Sequence, residues 1–138
     1  MSEIRVSYEG DLRCKAEVSG KEGFVITDAP DVLNGRGETF SPGDLIAASL
    51  GSCILTTMGA AASYRKLSLA GLSVKVEKIM GRDPAGAIKA LSIDVHMPVR
   101  FDDKNRHILE NSAKACPVSK IIDERVTKTI RFHYPPAE

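Results

Sequence analysis

The chain has 138 residues, 43% hydrophobic and 27% charged, with a formal net charge of +1. That length suits a single domain over residues 1–138 with a sizeable core. The balanced charge, with no basic run or stripe, gives no electrostatic footprint for nucleic acid. Glu3 and Arg5 interrupt the first residues, so the start does not read as a signal peptide and the expected location is the cytoplasm. Cys14, Cys53 and Cys116 lie far apart with no Cys-x-x-Cys spacing. This argues against a zinc site, and an odd count argues against a structural disulfide framework.

In chain order, Ile4, Val6 and Tyr8 alternate with polar residues and predict a strand. Glu9-Gly10-Asp11 predicts a turn. Leu12, Cys14, Ala16 and Val18 predict a second strand, with Cys14 on its apolar face. After a loop at 19–23, residues 24–27 predict a third strand. Residues 28–40, rich in Gly, Pro, Asp and Asn, predict a long loop of the kind that is often functional.

Residues 41–65 form the organising stretch. Ser41 reads as an N-cap, Pro42 as the first helical residue and Asp44 as a short capping-box partner. No charge occurs from Leu45 to Tyr64, which predicts a helix buried on all sides. Its length approaches the ~20 residues of a membrane span. Its Ser, Thr and Gly content argues against that role.

Leu72, Val74 and Val76, then Leu91, Ile93, Val95 and Met97, predict two strands pairing as a hairpin across the turn cluster at 81–86. Asp102 or Asp103 caps a second helix over about 104–115. Pro117 forces a break at Cys116 and starts a short helix carrying Val118, Ile121 and Ile122. Ile130, Phe132 and Tyr134 predict the last strand. The order β-β-β-α-β-β-α-β describes an α+β domain, an antiparallel sheet wrapped around helices.

Candidate chemistry rests on thiols. Cys53 alone reads as a small core residue. Cys116, at a helix break before free amide groups, stands where a thiolate is stabilised. Cys14 reads as core. His96, His107 and His133 read as surface residues, and no phosphate loop, serine elbow or His-Glu metal motif occurs.

Three segments carry a resemblance. Tyr8-Glu9-Gly10-Asp11-Leu12 is similar to the aromatic-x-Gly-Asp-apolar opening of OsmC proteins. Ser41-Pro42-Gly43-Asp44-Leu45-Ile46-Ala47-Ala48, running into Cys53, is similar to their Asn/Ser-Pro-Glu-x-Leu-apolar-x-Ala segment. Ala115-Cys116-Pro117-Val118-Ser119 is similar to their Cys-Pro-x-Ser site. The chain thus resembles the OsmC/Ohr family of thiol-dependent organic hydroperoxide reductases over nearly its whole length.

The resemblance implies an intertwined homodimer, with sheets wrapped around two central helices and no cofactor or metal. It implies that Cys53 attacks an organic hydroperoxide, that Cys116 resolves the product into a disulfide, and that a dithiol such as a lipoyl protein restores both. Leu50, Ile54, Leu55 and Met58 would favour an organic peroxide over hydrogen peroxide. An arginine before the first helix or in the first hairpin is expected to activate Cys53: Arg36 by preference, Arg13 otherwise. Gly43 stands where the family carries a glutamate, and Glu38 is the expected substitute; Asp44 points away round the helix. The departure at Gly43 also admits a weakly active or inactive dimer that binds an apolar small molecule. A redox sensor would use the same thiols.

Overall fold

The computed structural model describes residues 2–82 and 86–137. Two compact units divide the chain at residues 46 and 47.

In the first unit, β1 (Ile4–Gly10), β2 (Arg13–Val18) and β3 (Phe24–Asp28) form an antiparallel sheet in that order. The turn after β1 differs slightly from expectation. Asp11 and Leu12 both adopt left-handed backbone angles, φ 50° and 62°, as a two-residue hairpin turn demands. Leu12 therefore belongs to the turn rather than to β2. The alternation holds, because Ile4, Val6 and Tyr8 lie opposite Val18, Ala16 and Cys14.

The loop after β3 is ordered by its own backbone. Asp28 N–H donates to Phe40 O at 2.8 Å, and Gly37 N–H to Ala29 O at 3.1 Å. A 3-10 turn, Asp31–Leu33, lies between these bonds. Gly35 is required here, since a Cβ at this position would stand 1.9 Å from the Ala29 carbonyl oxygen.

Helix α1 (Pro42–Tyr64) begins with the expected reciprocal cap. Asp44 N–H donates to Ser41 Oγ at 3.1 Å, and Ser41 N–H to Asp44 Oδ2 at 2.9 Å. The helix is long and apolar enough to cross a membrane by length and composition. It buries a stripe of Ala47, Leu50, Gly51, Ile54, Met58 and Ala62. Burial on all sides is not observed, for Ala48, Ser49, Ser52, Thr56, Ala60 and Ser63 are exposed. The absence of charge over this stretch reflects small and hydroxyl side chains, and these carry little apolar area to hide.

In the second unit, β4 (Ser73–Met80), β5 (Ile88–His96) and β6 (Thr127–His133) form one sheet in that order. The β4–β5 hairpin is antiparallel as expected. Of its turn cluster, Asp83, Pro84 and Ala85 lie outside the described residues. β6 departs from the expected antiparallel arrangement and runs parallel to β5. The connection passes through α2 (Asp103–Lys114) and α3 (Pro117–Ile121), so it is long enough for the crossover that parallel pairing needs. Asp102 caps α2, accepting from Asn105 N–H at 2.8 Å. Leu91, Ile93 and Val95 of β5 join Leu50, Ile54 and Met58 of α1 and Leu109 and Ala113 of α2 in one buried core. The fold is α+β, with two main helices and two sheets.

Gly51 sets how closely α1 approaches β4. A Cβ there would lie 3.1 Å from Val74 Cγ1 and 3.2 Å from Val76 Cγ2. Gly51→Val overpacks this contact and is expected to cost about 1–3 kcal/mol. Urea unfolding should place its midpoint below that of the unaltered protein.

Candidate active site

Cys53 sits mid-helix on α1 and is half-buried, whereas Cys116 is fully buried at the N-cap of α3. Pro117 occupies the first helical position there, and Cys116 has φ −55° and ψ 124°, the extended backbone that a following proline imposes. The two thiols lie within hydrogen-bonding reach of each other. Val118 N–H, in the first turn of α3, also points at Cys53. Thr57 Oγ1, one helical turn after Cys53, stands 3.9 Å from its sulfur. All three cysteines are free, and Cys14 stands on β2 opposite Thr27 of β3.

The pair is electrostatically asymmetric. The Cys116 thiol, then Val118 N–H and Thr57, hold the Cys53 thiol below the ordinary thiol range, against an opposing effect of burial. Burial pushes the Cys116 thiol up, and its contact with Cys53 adds to this. Cys53 is therefore the more acidic thiol of the pair. Lys128 anchors the turn. It lies beside Leu91 in the β5–β6 register, and its Nζ donates to Ser119 O.

Leu50 and Met58 are fully buried in the core and Ile54 nearly so, so they present almost no surface to a ligand. Leu55 alone of the four expected wall residues is half-buried.

The charged candidates of the long loop belong to the first unit. Arg36 Nη2 pairs with Asp11 Oδ2 at 3.1 Å. Glu38 pairs with Arg13 Nη2 at 3.2 Å rather than with Arg36. Arg13 is held mainly by Asp28, Nε to Oδ1 at 2.7 Å and Nη2 to Oδ2 at 2.8 Å. The Asp28 side chain is 0% exposed, and it also accepts Glu38 N–H at 3.2 Å. Arg13 keeps the Asp28 carboxyl below the usual carboxylate range. Gly43 lies in the first turn of α1, and Asp44 beside it serves the cap.

Sequence reading missed Asp28, Lys128 and Thr57. Only Thr57 left a local signal, its i+4 spacing from Cys53. His107 is exposed on α2. His96 and His133, assigned separately to the surface, stack at 5.1 Å across β5 and β6, and His133 Nε2 meets Asp94 Oδ1 at 2.8 Å. Among the described residues, no group of three or more His, Cys, Asp or Glu could hold a metal ion.

A thiolate is the reactive form of cysteine, so a depressed pKa raises reactivity at neutral pH. Alkylation of Cys53 by iodoacetamide should reach half its maximal rate at a pH below that of an ordinary thiol, and Cys116 should react last. Cys116→Ala removes the strongest donor and should move the Cys53 midpoint upward. Peptide mass spectrometry across a pH series measures both.

A family model described as OsmC-like protein matches residues 35–131. A solved protein of Psychrobacter arcticus 273-4, provisionally described as an osmotic stress induced and detoxification response protein, is 38% identical over 96% of each chain, with a TM-score of 0.90. An organic hydroperoxide resistance protein OsmC of Legionella pneumophila is 18% identical over 96% of each chain, with a TM-score of 0.74. A Vibrio cholerae protein, provisionally described as an organic hydroperoxide resistance protein and holding captopril in one of its active sites, is 16% identical. That match covers 96% of this chain and 90% of the other, with a TM-score of 0.73. At such identities the last two establish the fold alone. No curated protein matches this chain. The family model and the Psychrobacter match together span the strands, the long helix and both thiols: the chain belongs to the OsmC-like protein family.

Proposed function

We propose that this protein is a thiol-dependent organic hydroperoxide reductase, one OsmC-like domain over residues 1–138, acting in the cytoplasm against oxidative stress. The contact between half-buried Cys53, whose thiol is held below the ordinary range, and fully buried Cys116, whose thiol is pushed up, carries this reading. Cys53 attacks the distal oxygen of the hydroperoxide and the O–O bond breaks. The peroxide is reduced to an alcohol, and the sulfur is oxidised to a sulfenic acid. Cys116 then attacks the Cys53 sulfur. The S–O bond breaks, the oxygen leaves as water and a disulfide forms. An external dithiol, such as a lipoyl protein, reduces it. No cofactor is needed.

The resemblance assigns activation of Cys53 to an arginine, with Arg36 and Glu38 the residues first chosen from sequence. The fixed bidentate hold on Arg13, and the contact of Glu38 with Arg13, favour Arg13 as the preorganised cation. Discrimination for an organic peroxide would rest on Leu55.

With one equivalent of cumene hydroperoxide, mass spectrometry should find a Cys53–Cys116 disulfide. Turnover with a dithiol should vanish in Cys53→Ser and fall more in Arg13→Ala than in Arg36→Ala. Turnover that survives Cys53→Ser would overturn the reading.

The working unit is proposed to be a homodimer. Ile4, Val6 and Tyr8 share one strand face and are 56–67% exposed, and the small-residue side of α1 is exposed as well. A second copy would cover such surface. Light scattering should return about twice the 14.9 kDa chain mass, and a monomer would count against the pairing.

A further inference from the structure

Helix α1 carries two consecutive threonines one turn beyond Cys53, and their hydroxyls have different fates. Thr56 Oγ1 donates to Ser52 O at 2.7 Å, the usual internal bond of a helical threonine. Thr57 Oγ1 faces the Cys53 sulfur instead, at 3.9 Å. The i+4 spacing puts both side chains on one face, and the later residue leans back over the earlier one.

The separation is long for a hydroxyl–thiol hydrogen bond. Cys116 and Val118 N–H already engage the sulfur. An oxygen atom bonded to that sulfur and inclined to the line toward Thr57 would meet a donor at ordinary hydrogen-bond range. Thr57 is only half-buried, so its hydroxyl is not sealed from an incoming group.

We propose that Thr57 is a further catalytic residue, whose hydroxyl donates a hydrogen bond to the oxygen that Cys53 takes from the hydroperoxide. This rests on Cys53 acting as the peroxidatic thiol. In the first step Cys53, as thiolate, attacks the distal oxygen, the O–O bond breaks, and the alkoxide takes a proton from solvent and leaves as alcohol, giving the sulfenic acid. Thr57 orients the transferred oxygen. In the second step the Cys116 sulfur attacks Cys53, the S–O bond breaks, and the oxygen departs with the Cys116 proton as water. Charge builds on that oxygen as the bond breaks, and a donor already in place stabilises it. Thr57 therefore acts most strongly on resolution, the step in which its partner oxygen is the leaving group.

The test compares Thr57→Val and Thr57→Ala with Thr57→Ser. Valine keeps the branched shape, alanine is the best helix former, and serine restores the hydroxyl. Reduced protein is mixed with one equivalent of cumene hydroperoxide and quenched over time. Sulfenic acid is trapped with dimedone, and disulfide is counted by mass spectrometry. In Thr57→Val and Thr57→Ala, disulfide formation should slow about tenfold and the dimedone adduct should accumulate, while Thr57→Ser stays near the unaltered rate. Circular dichroism and an unchanged urea midpoint control for an intact fold, because loss of the Thr57 hydroxyl itself shifts Cys53 alkylation. Wild-type resolution rates in both Thr57→Val and Thr57→Ala would overturn the proposal and leave the peroxidatic reading standing. If the unaltered protein forms no disulfide and Cys116→Ser traps no dimedone adduct, the peroxidatic reading falls, and the role of Thr57 with it.

Discussion

The proline after Cys116 is the constraint on which the thiol site depends. Its ring excludes helical backbone at Cys116, so α2 stops and the chain turns before α3 begins. The first turn of a helix leaves amide groups without internal partners. Here Val118 N–H meets Cys53 and Ser119 N–H meets Cys116. A continuous helix would spend those same amides on its own carbonyls. The far end of the turn is held by Lys128, whose ammonium meets Ser119 O. A residue that breaks a helix, and a lysine set beside Leu91 in the register of an apolar strand face, thus present two donors to two sulfurs.

Burial sets the two thiols apart in acidity. The thiols share one hydrogen bond, and this contact moves their acidities in opposite directions. Desolvation penalises the charged form, and it falls harder on fully buried Cys116 than on half-buried Cys53. Cys53 is therefore the more acidic sulfur, and it is also the one that keeps some exposure. The core enforces the difference. Cys116 packs with Leu109 and Ala113 among the buried residues, whereas Cys53 only borders that cluster.

Features set by neighbouring residues were legible in the sequence. The Ser41–Asp44 cap, the Asp102 cap and the break at Cys116 each depend on residues within a turn of one another. The strands were legible from alternation. The pairing of Cys53 with Cys116 was not, because no local spacing joins positions so far apart, and the family motifs alone suggested it. Register was the main loss. Asp28 meets Arg13 only because β2 and β3 place them opposite each other. The stacking of His96 on His133 follows from the parallel pairing of β6, which alternation along one strand cannot reveal. The small side chains of α1 that face outward in the single chain carry no charge and little apolar area, so the sequence alone does not say what covers them.

Gly43 raises the question of how an arginine is fixed without the family's glutamate. Within the first unit, Asp28 is the carboxylate that fixes Arg13. A guanidinium is oriented by a planar fork, and two parallel bonds to one carboxylate set both its position and its plane. Asp28 makes those two bonds to Arg13, and Glu38 adds a third from the loop while its backbone N–H ties that loop to Asp28. Arg36 donates to exposed Asp11 through Nη2 and adds a charge interaction with Asp28, the weakest of the influences on that carboxylate. A fixed cation stabilises developing charge without reorganising, whereas a mobile one must first be ordered. Arg13 is therefore the preorganised cation of the first unit, fixed there without a carboxylate at position 43.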